Sequence, residues 1–291
     1  MRRLSKVGFE DRGHPPDDHH RTFTPMPPIA NGTGGASAAT TILLLLSGTF
    51  VFFVLPVFVI LRMYSAKIYD AVIIHMTSEW YKDVFLKIGA DIQETRRSST
   101  TQQRQQEPPF RLLDIGIGTA TALIQRKEDV KILGVQVVGV DYNKEYVKAA
   151  KASLSVAKLE QQVAVHCCSI YEAKVVDEEV QQHGKFDAAY FSGSFSLMPD
   201  SLAALHTAAR YVKKGGKIYI SQTFQRRNVP GLSCFKPFLK YITTIDFGQL
   251  FFETQLDAIL EQSNYEIIEN VKIEGSVDNS FQVARSIVLR V

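Results

Sequence analysis

Hydrophobic and polar positions divide the chain into four regimes. Residues 1–21 mix Arg, Asp, His and Pro without periodicity, and residues 22–39 are rich in Pro, Gly, Ser, Ala and Thr, so 1–40 is expected to be a disordered tail and flexible spacer. Residues 42–61 are then almost wholly apolar, and no charged residue or histidine occurs anywhere from Thr22 to Leu61. A soluble helix would show a polar face; this stretch has none, and its length matches a helix crossing a ~30 Å hydrocarbon layer. The expectation is a single transmembrane helix over 41–62. Gly48 and Pro56 are tolerated in such helices, and the late start of the run, with no small-x-small site before Arg62, argues against a cleaved signal peptide.

Beyond the apolar run, Ile68, Val72, Ile73, Met76, Trp80, Val84, Phe85 and Ile88 recur at helical spacing across 64–93, which predicts one or two helices. Residues 95–107 hold no apolar residue and read as a solvated loop. The period then changes. Short β-branched and aromatic runs at 110–113, 135–140, 163–168, 186–191, 217–224, 265–273 and 281–291 alternate with amphipathic stretches at 144–158, 201–212 and 251–262. That alternation predicts an α/β fold with a doubly wound, mostly parallel sheet of seven strands. The predicted domains are therefore 1–40, 41–62, 63–107 (helices and polar loop) and 108–291 (the sheet).

The first strand runs into Asp114, Ile115, Gly116, Ile117, Gly118, Thr119, Ala120 and Thr121. Glycines at alternate positions between a strand and a helix start mark a tight turn where the backbone approaches a ligand closely. The second strand ends on Asp141 and Tyr142, roughly twenty residues past the glycines, where an acid can accept hydrogen bonds from both ribose hydroxyls of a nucleotide-type ligand. A plain helix cap is the alternative for Asp141. The pattern resembles motif I of the class I, Rossmann-like S-adenosylmethionine (SAM) methyltransferases, in which an acid stands ahead of the glycines; Ala120 replaces the third glycine and narrows the turn slightly. NAD would ask for a glycine where Thr121 stands. The strand at 186–191 followed by Ser192, Gly193, Ser194 and a Pro199-Asp200 pair is similar to motif IV of small-molecule members, and Gly215-Gly216 before the fifth strand is similar to the glycine turn of the same family.

The resemblance covers about 64–291 and implies SAM as cofactor. It implies Asp114, Gly116, Gly118, Thr119, Asp141, Tyr142, Ser169, Ile170 and Ser192 as cofactor-binding residues. Ser169 stands where these enzymes often place an acid against the adenine amine, and Tyr142 is placed to stack on adenine. Gly193 and Ser194 are further contacts for cofactor or substrate, and the N-terminal helices are expected over the pocket. The N-P-P-Y sequence of amino-group methylating members is missing. The last strand is expected to be antiparallel.

Composition alters this picture little. The 291 residues are 45% hydrophobic, enough for one sizeable core, and a net charge of +3 without a basic stripe gives no footprint for nucleic acid. Cys167, Cys168 and Cys234 offer neither a disulfide framework nor zinc spacing, and no metal is expected. Tyr69, His75 and Asp246 are the candidate bases, none of them fixed by a motif; His166 and His206 read as structural. Arg62 and Lys67 follow the apolar run at once, whereas Arg21 is the nearest basic residue before it, so the catalytic part is expected in the cytosol of a single-pass membrane protein. Arg226, Arg227, Lys236 and Lys240 among the aromatics of 225–248 suit an anionic lipid surface or a cap over the site. The function expected is methyl transfer to a small, lipophilic acceptor such as a quinone, sterol or phospholipid head group. A protein methyltransferase, or a non-catalytic SAM-binding module, is the alternative.

Overall fold

The structure is a computed structural model that describes residues 51–52, 56–57, 59–60, 74–98, 108–227 and 250–291. Nearly all of these belong to one compact unit, Phe52–Val291. Most of the apolar run at 42–61, the basic-aromatic stretch at 228–249, Tyr69 and Asp246 lie outside the described residues. Among the described residues no helix is long and apolar enough to cross a membrane.

Seven strands form one sheet: β1 (Arg111–Ile115), β2 (Gln136–Asp141), β3 (Val163–Cys167), β4 (Phe186–Ser192), β5 (Val212–Gln225), β6 (Glu266–Lys272) and β7 (Gln282–Arg290). Their order is β3-β2-β1-β4-β5-β7-β6. The β1–β5 set is parallel, and β7 inserts antiparallel between β5 and β6. Chain order reverses direction across the sheet at β1 and β4, which creates a crevice at their carboxyl ends. The expected seven-stranded α/β sheet with its antiparallel last strand is observed.

Helices cover both faces because each strand alternates its side chains between them. On one face Leu113, Ile115, Phe191 and Ile218 pack with residues of α5 (Lys174–His183), α6 (Ser201–Tyr211) and α7 (Glu253–Ser263). On the other, Leu112, Tyr190 and Tyr219 pack with α1 (His75–Ser98), α2 (Thr121–Ile124), α3 (Lys127–Leu133) and α4 (Lys144–Ala157). Capping sharpens two of these. Asn143 accepts from the amides of Glu145 and Tyr146 at the start of α4, and Asp200 accepts from Ala203 at the start of α6. Asp200 of the Pro-Asp pair is thus a helix cap.

Two boundaries differ from those the sequence predicts. Residues 95–98 continue α1 rather than opening the polar loop, with exposed Arg96 and Arg97 in a last turn whose carbonyls favour positive charge. The Lys213-Lys214-Gly215-Gly216 segment is not a turn ahead of β5 but part of it. Gly215 takes φ +80°, and a Cβ on Gly216 would lie 2.5 Å from the Asp187 carbonyl oxygen, so the glycines let the strand jog between the Phe186–Val212 and Ala188–Lys217 pairings.

Helix α1 is held to the sheet by more than an apolar stripe. Val84, Phe85 and Ile88 are buried. Beside them Lys87 bridges Asp83 (2.9 Å) and Glu269 of β6 (2.5 Å) and donates to Ser286 of β7 (2.8 Å), while Asp91 pairs with Lys217 (2.5 Å) and accepts from Tyr219 (2.8 Å). This seam ties α1 to β5, β6 and β7 and fixes which residues α1 presents further along the same face.

Gly139 of β2 is closely packed against the turn, where a Cβ would come within 2.5 Å of the Ile117 side chain. Gly139→Ala is expected to destabilise the protein by about 1–3 kcal/mol through overpacking, with Ile117→Val in the same chain restoring part of the loss; urea denaturation midpoints of the single and double variants check this.

Candidate cofactor site

The turn after β1 is hung on β2. The amides of Gly116 and Ile117 both donate to the Val140 carbonyl, at 2.8 and 3.2 Å. Gly116, Gly118 and Ala120 take φ of +78°, +60° and +57°, alternating left-handed conformations that glycine adopts without penalty. Ala120 therefore keeps the backbone that a third glycine would have, at a strain of roughly 1–2 kcal/mol, and its buried methyl packs in the core under α1. The turn is not narrowed by it.

The two glycines do different work. A Cβ on Gly116 would collide with Ser194, so this glycine serves contact between the turn and the loop after β4 rather than approach of a ligand. The missing Cβ of Gly118 faces open space, with nothing within 4 Å, and that is the position where a ligand can come close to the backbone.

Asp141 locks the turn from the next strand. Its Oδ2 accepts from the Gly118 amide at 2.9 Å and its Oδ1 from the Asn143 amide at 2.8 Å. Burial pushes its carboxyl above the ordinary range, while these two donors pull the other way. Each oxygen keeps a second lone pair, so the carboxylate is held in a set orientation and can accept two adjacent hydroxyls, as a ribose presents them. Thr119 shares a 2.8 Å hydroxyl contact with Thr121 beside it. The Tyr142 ring is 74% exposed, free to stack on a base.

Around the adenine end the predicted residues are placed less directly. Cys168 donates its amide to the Asp141 carbonyl at 3.0 Å, which brings the end of β3 alongside β2. Ser169 caps the 3-10 turn Ile170–Glu172, accepting from the Tyr171 amide at 3.4 Å, so its hydroxyl is partly engaged. The Ile170 side chain is buried in the core on the α5–α6 face. As a cofactor contact its side chain is ruled out, and only its backbone remains for that role.

At the end of β4, the Ser192 hydroxyl is buried beside those of Tyr190 and Tyr81. Gly193, at φ +71°, lies against the Trp80 ring, and Ser194 donates its hydroxyl to the Ile115 carbonyl. Ser194 is thus a brace between β1 and the loop after β4. His75 is exposed at the start of α1; the His206 ring nitrogen lies 3.1 Å from the Tyr265 hydroxyl, away from the turn. Among the described residues no group of His, Cys, Asp or Glu is arranged to hold a metal ion.

Asp114 is the largest departure from the sequence reading. It is fully buried, and its Oδ2 accepts from the Tyr81 hydroxyl of α1 at 2.5 Å, while Oδ1 has no partner. Burial raises the carboxyl to about 7; the Tyr81 bond opposes this and the Asp141 charge adds to it. The Tyr81 phenol is pushed well above its ordinary value, chiefly by burial, and so remains the donor. Tyr190 stands edge-on to Tyr81, ring centroids 5.1 Å apart, with its hydroxyl buried beside those of Ser192 and of Ser221 on β5. Tyr81, Tyr190 and Ser221 carried no signal in the sequence beyond ordinary apolar or strand periodicity. Their convergence depends on where α1 crosses the sheet.

A glycine turn open at Gly118 and an oriented carboxylate with two free lone pairs suit the ribose of a nucleoside ligand such as SAM, and with the sheet order they fit the class I methyltransferase fold. Residues 75–270 match the family model described as a methyltransferase domain. The chain belongs to that methyltransferase-domain family.

Among curated relatives, the ubiquinone biosynthesis O-methyltransferase of Xanthomonas oryzae pv. oryzae is 32% identical over 112 residues, 38% of this chain and 42% of that protein. The O-methyltransferase resE of Aspergillus sclerotiorum is 23% identical over 168 residues, 57% of this chain and 58% of that protein. The match thus spans less than three fifths of the length of either. A solved geranyl diphosphate C-methyltransferase from Streptomyces coelicolor aligns with a TM-score of 0.47 at 10% identity, over 63% of this chain and 73% of that one. A methyltransferase from Geobacter sulfurreducens aligns with a TM-score of 0.45 at 16% identity, over 70% and 89%.

Asp141→Ala removes the ribose acceptor and leaves two turn amides unpaired. Charge-assisted hydrogen bonds contribute about 1.5–3 kcal/mol each, so titration calorimetry is expected to show SAM affinity falling by at least about a hundredfold. The raised Asp114 carboxyl predicts a pH effect on folding. Because its folded value near 7 lies above the unfolded 3.8, the folded state holds the proton more tightly between them, and the stability this contributes is lost as pH rises through 7. Asp114→Asn is therefore expected to match the wild type at about pH 3.8 and below and to exceed it increasingly up to neutrality, by on the order of 2–4 kcal/mol there, measured by urea denaturation at each pH.

Proposed function

We propose that this protein methylates a hydroxyl group of a small, lipophilic acceptor while an N-terminal helix holds it at a membrane with the catalytic unit on the cytosolic side. The observation that carries the acceptor class is the uninterrupted apolar run at 42–61 ahead of a methyltransferase domain. A helix of that length and composition matches a bilayer core. Anchoring raises the local concentration of an acceptor dissolved in the same bilayer without adding any contact to it. Oxygen as the acceptor atom is supported by two relatives that carry O-methyltransferase names, and by the loop after β4, which lacks the planar-amide sequence used on amines.

The cofactor supplies a methyl group already activated by a sulfonium leaving group, so the protein's part is chiefly positioning. Asp141 orients the nucleoside end from β2. Gly118 lets that end approach the backbone. The loop at Ser192, Gly193 and Ser194 forms the neighbouring wall, held to the turn by the Ser194–Ile115 bond and backed by Trp80. Trp80 is itself fixed by donating its indole N–H to Ser276 at 3.0 Å.

A test of the acceptor class incubates the full chain, in membranes, with methyl-tritiated SAM, then separates lipid extract from protein. Label in an organic-soluble product, lost with Asp141→Ala, is the expected outcome. Label confined to protein would instead establish a protein methyltransferase.

A further inference from the structure

Helices α1 and α3 leave a groove of about 470 Å³ between them. Phe85 and Gly89 of α1 and Leu133 of α3 line it, and a Cβ on Gly89 would lie 3.2 Å from the Leu133 side chain, so the two helices are close there. Leu86 and Ile132 border the groove, one from each helix, and are 68% and 81% exposed. Single exposed aliphatic side chains are ordinary on a protein surface; two that flank an apolar groove are a patch. The pattern along α1 says what covers it. Lys82, Leu86, Ala90, Gln93 and Arg97 recur at three- and four-residue spacing and are all exposed, so they share one face, with a base at each end and the apolar side chains between. Across both helices the exposed charges are Lys82, Arg96, Arg97, Lys127 and Lys131 against Glu94 and Glu128. Half-buried Glu79 pairs with Lys82 (3.4 Å) and Arg126 (2.5 Å), and half-buried Asp129 also lines the groove, which leaves the face with an excess of bases.

A second copy docked here would set that excess of bases against itself, whereas an anionic bilayer surface is its complement. Apolar side chains ringed by Lys and Arg suit a membrane interface, where the aliphatic groups enter the headgroup–acyl boundary and the long basic side chains extend to the phosphates. Position along the chain agrees: only residues 62–74 separate α1 from the apolar run ending at Leu61, and they span at most about 45 Å when fully extended. We infer that the groove between α1 and α3, with Leu86 and Ile132 at its edges, is the surface on which the methyltransferase unit rests against an anionic bilayer. This rests on the membrane reading proposed above and deepens it, because it names the face turned to the lipid. The same helix holds Trp80 against Gly193 of the loop after β4, so the bilayer meets an element that walls the site.

The test uses the full chain with vesicles of phosphatidylcholine and roughly one third phosphatidylglycerol, prepared with and without bromine near the top of the acyl chains. The chain has one tryptophan, Trp80, which is 2% exposed and gives a background that the wild type measures. Ile132→Trp places a reporter on the inferred surface, and Ala258→Trp places one at an exposed position of α7, on the opposite face of the sheet. Brominated lipid is expected to quench the Ile132→Trp reporter by about half and to leave the Ala258→Trp reporter unchanged, because an interfacial face sits at the headgroup–acyl boundary. Exchanging Lys127 and Lys131 for Glu in the Ile132→Trp chain should remove most of that quenching. If the wild type floats with the vesicles but Ile132→Trp is not quenched, or both reporters are quenched alike, the inference is overturned and the anchor stands. A wild-type chain that does not float with the vesicles removes the anchor and the surface together. Ile132→Trp emission that shifts with protein concentration before lipid is added assigns the groove to a second copy and overturns the inference.

Discussion

The carboxylate of Asp141 bridging the amides of Gly118 and Asn143 is the contact on which the rest of the site depends. A turn with three left-handed residues in five has little conformational preference of its own. It takes one shape because β2 supplies both the Val140 carbonyl that accepts its first two amides and the carboxylate that accepts a third. The same carboxylate starts α4 through Asn143, whose side chain then caps that helix. One acid thus connects a strand end, a turn and a helix start. Its position between two fixed donors leaves it pre-oriented before any ligand arrives, which reduces what binding must spend on ordering.

The second constraint is the crossing of α1 over the sheet. Most helices in the protein are held by an apolar face. This one is also tied by charge through Lys87 and Asp91 to β5, β6 and β7. These pairs are only partly exposed, so they are screened less than surface pairs and specify one placement of the helix. That placement brings Trp80 against Gly193 and Tyr81 against Asp114. The helix is therefore a wall of the site as well as a cover for the core, and the segment before it is the apolar run for which a membrane role is proposed.

Buried polar atoms on the α1 face gather at the carboxyl end of the central strands: Asp114, Tyr190, Ser192 and Ser221. The opposite face, packed against α5, α6 and α7, is mainly Leu, Ile, Val, Phe and Ala, and the outer strands β3, β6 and β7 carry further buried polar atoms of His166, Asn270 and Arg285. The α1-face group lies beside the crevice at the β1–β4 switch point, where an open α/β sheet binds its ligand.

Fold class, strand count, the antiparallel last strand and the turn were legible in the sequence because each is a local pattern: period-two runs for strands, alternate glycines for the turn, an acid at the tip of β2. The acid's partners were not, because hydrogen bonds from Gly118 and Asn143 exist only when two separate segments meet. Glycine roles show the same division. A pair of glycines announces a tight turn, but only the neighbours in space show that Gly116 accommodates Ser194 while Gly118 opens toward a ligand. Ala120 looked like a departure from the motif and is not one in backbone terms, since its strain is absorbed by burial in the core. Asp114 read as a ligand contact from its place ahead of the glycines, yet whether it stands open or sealed is settled by Tyr81, 33 residues away and brought to it by the salt-bridged docking of α1. Local periodicity is written residue by residue along the chain; the charge state and exposure of a buried group are properties of everything packed against it, and those the tertiary structure alone decides.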